Sequence, residues 1–537
     1  MRGAMRRVLA GFLLLLTSLA VPARDWGRLT GSLESNSIRY FDDRFIGTPD
    51  NPWGSNNYLK LDWTKGRFSA GLQAEYYPEA LAGYPSELKG AGLPSLYASW
   101  AGEHLAVTAG TFYEQVGSGL TFRSWEDREL GLNNAVTGGL AEFRFKGLTA
   151  KAFGGMPRYG LWPLVGVGLA GGDLSLDVLP LLGRESDHSI RLEGSVVDRL
   201  TSDTDAGILY LASLNGFHVP NSVLTWSGRL QYAWSGFSVR GEYVGKGEDF
   251  YVEPLPGAKE GYRLKGGNAQ LLEASYARGG FSASLTLRRL ENMTSRTFLT
   301  TGNPSPANTL NYLPSLCMQQ TYMLAGLNPY VTCADGEAGF QGDVYYRFPR
   351  GSALGGKYGM KLHVGGSWID ALPCALPDRD TPYLAYRDIN IDLERAWSRK
   401  FRTILFVSIQ ENSPTHGNRK ATNAQNVFVL DGLYRITKTA SLRMELQYLY
   451  SEELTKDWMA GLVELSFAPH WSVTVSDMYN HGDTHVHYYN FGVSYAYDAF
   501  SVSLAAGRSR EGMVCSGGVC RWQPAFKGVS LRLQWSF

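Results

Sequence analysis

Three histidines stand close together near the C-terminal end, His481, His485 and His487, with Asp477 and Asp483 beside them. Imidazole and carboxylate groups are transition-metal donors, and His485 and His487 share a face if the chain is extended there. A polar loop that merely happens to be rich in histidine accounts for the same residues. A site is defined by its ligand geometry, so no metal and no other cofactor is assigned. Five cysteines, Cys317, Cys333, Cys374, Cys515 and Cys520, offer sulfur chemistry. None forms the Cys-x-x-Cys step of a structural zinc site. In an exported chain the expected pairs are Cys317–Cys333, stapling the longest loop, and Cys515–Cys520, closing a small ring, with Cys374 left over. No nucleophile elbow, phosphate-binding loop or dinucleotide fingerprint occurs, and the chain is expected not to be an enzyme.

A dense cluster of charge lies in residues 113–135, where Glu114, Gln115, Arg123, Glu126, Asp127, Arg128 and Glu129 are interspersed with Gly117, Gly119 and Gly131. Glycines let a backbone fold back tightly. Folded into a pore, Glu114, Gln115, Arg123, Glu126 and Arg128 would form a charged constriction; left outside, the segment is a solvated surface loop. Residues 292–336 form a second long and more apolar segment, containing Tyr312, Leu313, Leu316, Tyr322 and Leu327. It is too long for a structureless connection. Capping the pore, docking a partner and packing beside another protomer are all open to it.

The elements that would carry these loops are strands. The chain has 537 residues, with 62 Gly, 30 Tyr, 24 Phe and 14 Trp, a composition that suits twisted strands and tight turns better than helices. Its 51 Lys+Arg against 50 Asp+Glu leave no basic excess for nucleic acid. Residues 1–23 read as a signal peptide, with Arg2, Arg6 and Arg7 ahead of an apolar run that ends in Val21-Pro22-Ala23. From Arg28 onward, segments of about ten residues alternate with period two. Leu224, Trp226, Leu230 and Trp234 share one face, and Thr225, Arg229 and Gln231 the other; Leu442, Met444 and Leu446 alternate with Arg443, Glu445 and Gln447.

The connections separate a membrane barrel from a soluble sandwich. Short links such as Lys65-Gly66, Lys146-Gly147, Ser235-Gly236 and Asp498-Ala499 take turns with long polar loops, and aromatics (Trp63, Trp100, Trp234, Trp397, Trp471) crowd the short links. That asymmetry and that girdle belong to outer-membrane barrels. The last strand alternates Leu533, Trp535 and terminal Phe537 with polar residues. This resembles the C-terminal signal read by bacterial barrel-assembly machinery, which is expected as a partner along with outer-membrane lipid.

The fold class expected is all-β: residues 24–537 form a single large antiparallel transmembrane β-barrel of about 24 strands. The count becomes 22 or 26 if the region around residues 208–212, an ambiguous strand, is parsed differently. Strands begin directly after the leader, so no separate plug domain is expected. The apolar run of residues 161–182 contains Asp173, Asp177, Pro163 and Pro180, which rules out a membrane-spanning helix.

The run Gly110-Thr-Phe-Tyr-Glu-Gln-Val-Gly-Ser-Gly-Leu120, continuing Thr-Phe-Arg-Ser-Trp-Glu-Asp-Arg, resembles the hallmark segment of an uncharacterised family of outer-membrane barrels of Bacteroidota. The resemblance implies location and fold along the mature chain; it implies no activity.

If the apolar face meets lipid, the other face lines a lumen that carries both signs of charge: Arg229, Glu242, Asp392, Glu394, Arg443, Glu445 and Arg532 among others. Such a lumen is either wet or densely ion-paired. Two functions fit. One is a porin-like channel or solute-binding transport protein; the other is a non-conducting scaffold or receptor that docks a surface or periplasmic protein.

Overall fold

A computed structural model describes residues 26–537 apart from 203, 205, 256–258, 299–307, 376–382, 414–422, 454–455 and 517–518; the expected leader, residues 1–23, lies outside the described residues. One sheet dominates it. Apart from a two-residue rung at Trp162–Pro163, the sheet has twenty-four long strands, each paired antiparallel with its neighbours in sequence. The first strand, Arg28–Phe41, pairs with the last, Phe526–Ser536, in register from Ser32↔Ser536 to Phe41↔Lys527. The sheet is therefore closed, and closure removes the exposed edges that a sheet this size would otherwise present. Terminal Phe537 locks the seam: its N–H donates to the Gly31 carbonyl (2.9 Å) and its own carbonyl accepts from the Gly31 N–H (2.8 Å). A side chain at Gly31 would run into the Phe537 ring.

Period-two sequence becomes two surfaces. Across four successive strands Val344, Val364, Ile391 and Val407 are register partners in one apolar row. Leu230, Leu285, Ile391, Leu405, Leu430 and Leu446 are exposed on that outer surface. Phe68, Phe145, Trp234, Trp397, Trp471 and Tyr497, also exposed, gather at the end where the short turns lie. On the opposite surface the partners are charged: Arg229 faces Glu193 on one side and Glu242 on the other, and Arg443 binds both members of the acidic register pair Asp431 and Glu445. Cross-strand pairs of opposite sign hold adjacent strands together and leave few free charges.

Residues 208–212, read as an ambiguous strand, lie within a helix, Ala206–Leu214. Ile208 and Ala212 are buried while Leu209, Tyr210 and Leu214 are exposed; a strand would put 208, 210 and 212 on one face, whereas a helix turns Tyr210 away. The apolar run 161–182 is the strand Val167–Asp177 followed by the short helix Val178–Leu181. No helix of the described residues is long and apolar enough to cross a membrane.

Candidate functional site

Two of the long loops fold into the barrel instead of out of it. Residues 113–135 form two miniature hairpins, Gln115–Val116 on Phe122–Arg123 and Glu126–Asp127 on Leu132–Asn133. Val116, Leu120, Phe122, Leu130 and Leu132 are buried. Gly117 makes the first reversal with φ +60°; a Cβ there would lie 2.6 Å from Glu242 Oε1 and 2.7 Å from Arg229 Nη1. The loop backbone thus rests on the wall's central charge pair, and the Ser118 N–H donates to Glu242 Oε2 (3.2 Å). Asn134 ties the two hairpins together. Its Oδ1 accepts from the Trp125 N–H (2.7 Å) and its Nδ2 donates to the Arg123 and Thr309 carbonyls (3.0 and 2.6 Å).

The charged residues of this loop reach the wall one by one. Lys151 Nζ meets Glu114 Oε1 at 2.8 Å. Arg128 bonds Glu34 Oε2 (2.7 Å) and Glu126 Oε1 (3.3 Å) and lies 4.4 Å from the centre of the Tyr58 ring. Burial opposes the charge on Arg128, but Glu126 and Glu34 more than offset that, and its pKa is raised. Gln73 Nε2 donates to Glu126 Oε1 (2.7 Å) and to Glu75 Oε1 (2.8 Å). Glu75 in turn takes both ends of Arg158, at 3.0 and 2.6 Å, and the Tyr77 hydroxyl at 2.9 Å. The result is one connected chain of polar groups from the first strand to Arg158, which is itself 2% exposed. A register shift sits beside it: Gln73 pairs with Ser95 but Glu75 with Gly92. The extra residue opposite accommodates Pro94, which has no N–H to contribute to a ladder.

The second loop lies along the first. The Arg123 N–H donates to the Leu310 carbonyl (2.9 Å) and the Tyr312 N–H to the Gly119 carbonyl (2.9 Å). Arg123 stacks on Tyr312, 4.0 Å from the ring centre, and on Trp125 at 4.8 Å. Beyond Pro314 the loop crosses to the far wall. Tyr322, Leu324, Ala325 and Leu327 pack on an inward apolar patch formed by Phe406, Val427, Val429, Leu449, Trp458 and Ala460. Wall amides pin the backbone there: Gln447 Oε1 accepts from the Leu324 N–H (3.0 Å), and Gln410 donates to the Ala325 carbonyl (3.2 Å). The apolar residues that left partner docking open are buried against the barrel's own wall.

The expected Cys317–Cys333 staple is corrected by the structure, in which Cys317, Cys333 and Cys374 are free thiols. Hydrogen bonds hold the loop stem instead. Glu337 accepts from Arg288 (2.7 Å), the Tyr330 hydroxyl (2.5 Å) and the Cys333 N–H (2.7 Å), while Cys317 packs beside Leu316, Ile369 and Tyr386. Burial pushes the Cys317 thiol well up and the Cys333 thiol up to about 12. Cys515 and Cys520 are bonded, across the hairpin Gly512–Ser516 on Val519–Gln523.

The wall residues named from sequence fall into separate clusters. Arg229 binds Asp173 and Glu193 beside Glu242; Arg443 binds Asp431 and Glu445; Asp392 holds His363 Nδ1 (2.7 Å), and Glu394 holds Lys361 (2.9 Å). Gln115 Nε2 donates to the Gly117 carbonyl within its own hairpin (3.1 Å). The three histidines gather around the Tyr479 ring: His487 stacks on it with Nδ1 on Asp477 (2.7 Å), His481 and His485 tilt toward it, His481 also stacks on Tyr448, and His485 takes a φ of +54° in the turn. Among the described residues no group of three or more donors gathers at metal distance.

Part of what the loops leave open lies along the closing seam. Cavities of about 440 and 420 Å³ share Ile38, Ala505, Val514, Gln523, Phe526 and Ser530. Small wall residues, Ser503, Ala505, Gly507, Gly528 and Ser530, give them their room between larger ones such as Met478, Tyr489 and Phe526. Their charged lining is four arginines, Arg508 (paired with Asp43 at 2.6 Å), Arg510, Arg521 and Arg532, against Glu129 and Glu511. Arg510 donates to the Leu327 and Glu511 carbonyls, both at 2.9 Å, and burial pushes its pKa below the ordinary value. Sequence reading singled out Arg532 but missed Arg158, Arg510 and Arg521. The alternation around Cys520 was the available sign for Arg521.

A family model described as a family of unknown function, DUF6029, matches residues 5–537. No curated protein matches the chain. Among solved structures, the P pilus usher PapC translocation pore is similar over 95% of this chain and 99% of that one, at 8% identity and a TM-score of 0.39. The siderophore receptor PirA from Pseudomonas aeruginosa is similar over 96% of this chain and 81% of that one, at 9% identity and a TM-score of 0.40. The outer membrane protein opdK from Pseudomonas aeruginosa is similar over 95% and 99%, at 10% identity and a TM-score of 0.35.

Proposed function

The chain belongs to the DUF6029 family of unknown function, and we propose that it is an outer-membrane barrel that passes small solutes along a narrow path beside its own two inward loops. The outer apolar rows and the aromatics gathered at the short turns support the membrane setting, because a band of lipid-facing residues edged by aromatics is what a spanning barrel presents. The short turns then face the periplasm and the long loops the exterior. The Phe537 seam supports barrel-assembly machinery as a partner, and a Bacteroidota source rests on the resemblance of the segment at residues 110–128.

One observation carries the transport reading. A barrel of this strand number is wide enough to need a filling; here the chain supplies the filling, but the inward loops leave cavities of about 440 and 420 Å³ along the closing seam. Passage is diffusion along a route whose charged lining is four arginines against two glutamates, with no chemical step. The purified barrel in a planar bilayer is expected to give a small, steady conductance whose reversal potential in a salt gradient favours anions. A silent trace from folded protein, or a cation preference, overturns the reading.

A further inference from the structure

On the outer side of the two loops, a cavity of about 810 Å³ opens between residues 83–85, the second loop and the hairpin that Cys515–Cys520 closes. Among the described residues its lining holds two cations, Arg296 and Arg521, and no carboxylate. The buried arginines Arg158, Arg229 and Arg288 sit on acidic partners. Arg521 does not. Its Nε donates to the Glu129 carbonyl (2.8 Å), its Nη2 to Gln523 Oε1 (3.3 Å), and its plane lies 4.3 Å from the centre of the Tyr84 ring. Among the described residues its Nη1 has no acceptor, although Arg521 is only 7% exposed. The Thr332 hydroxyl, in the same lining, is likewise buried without a partner.

A buried guanidinium edge without an acceptor carries a desolvation cost that an incoming oxyanion would remove. Guanidinium geometry suits the oxygens of a carboxylate or phosphate. Arg521 is held in place before any ligand arrives, because its hairpin is cross-linked one residue away and its other donors are engaged. Trp522, exposed on the same rim, offers a flat apolar surface for the body of a ligand. Arg521 and Tyr84 also border the 420 Å³ cavity of the seam path, so an anion held here stands at the mouth of that path.

We propose that this vestibule is a binding site for a small hydroxylated oxyanion, a sugar acid or a sugar phosphate, held by Arg521 and Arg296 with its body against Trp522. The proposal rests on the reading of the seam as a solute path, in that it makes the vestibule the site of capture. The test is calorimetric titration of the full-length refolded barrel with glucuronate, glucose 6-phosphate, inorganic phosphate and neutral glucose. Glucuronate or glucose 6-phosphate should bind, glucose should not, and the tighter of the two anions identifies the headgroup. Arg521→Gln should weaken that binding at least about tenfold, the loss expected for a hydrogen bond to a charged group. Arg296→Gln provides a second variant if Arg521→Gln fails to fold. Equal binding of glucose, binding of inorganic phosphate alone, no binding at all to folded protein, or anion binding indifferent to both substitutions overturns the proposal. Binding without any conductance would leave this site standing and overturn the channel; conductance without binding would do the reverse.

Discussion

Excising residues 316–329 and joining Ser315 to Tyr330 should raise the unit conductance of the barrel by on the order of tenfold, since a wall of this strand number encloses an aqueous channel once its filling is removed. The geometry favours the excision. The Ser315 hydroxyl already donates to the Tyr330 carbonyl at 2.9 Å, so the two ends meet and a short linker spans them. The deleted segment is the part that crosses the lumen to Phe406, Val427 and Leu449. It contributes no strand to the sheet, whose ladder runs unbroken through those residues. The variant should therefore still migrate as a folded, heat-modifiable barrel in gel electrophoresis. Folded protein with wild-type conductance would mean that the segment does not obstruct the pore.

Glu75→Gln should destabilise the barrel by about 3–5 kcal/mol, because it leaves the Arg158 guanidinium buried without its counter-charge. Both residues are almost wholly buried, at 3% and 2% exposure. The pair is bidentate, and Gln73, Tyr77 and Glu126 extend it toward Arg128 and Glu34. The loss should therefore spread to the anchoring of the first loop. Removing both charges in Glu75→Leu/Arg158→Met should recover much of it, since a buried pair replaced by apolar groups is often close to neutral. Urea unfolding in lipid bilayers gives the free energies. A change within a few tenths of a kcal/mol for Glu75→Gln alone would show that the network contributes little.

Much of the fold was legible from local pattern. The alternation of Leu224, Trp226 and Leu230 with Arg229 and Gln231 assigns faces because a strand has period two, and the contrast of short links with long loops yields twenty-four strands and closure. Lipid-like exposure of Leu230 and burial of Arg229 follow from the same alternation. The loops were another matter. Nothing local in Tyr322, Leu324 and Leu327 says that they cover an inward patch contributed by strands far along the chain. That patch, Phe406, Val427 and Leu449, looks in sequence like ordinary strand residues.

The cysteines failed for a related reason. Compartment and spacing favoured Cys317–Cys333, but the loop stem is held by Glu337, whose carboxylate gathers Arg288, Tyr330 and the Cys333 N–H. One carboxylate reached from several elements replaces a covalent staple, and sequence spacing does not reveal it. The helix Ala206–Leu214 was missed because a short apolar run has no decisive period. For the charged loop the residue types were informative and their partners were not. Glu114, Glu126 and Arg128 do face the interior, yet they are tied to Lys151, Gln73 and Glu34 of the wall.

Whether the second loop sits inside the barrel is read off a cross-link made in intact membranes. Asn328 of the second loop donates to Gln425 Oε1 of the wall at 3.0 Å. With Cys317, Cys333 and Cys374 replaced by Ser, the double variant Asn328→Cys/Gln425→Cys is treated with a short bifunctional thiol reagent. A loop seated inside the barrel predicts efficient joining of the two positions and a shift in gel mobility that protease treatment of the outer loops does not abolish. Free labelling of both introduced thiols by a membrane-impermeant maleimide, with no joined species, would contradict the account.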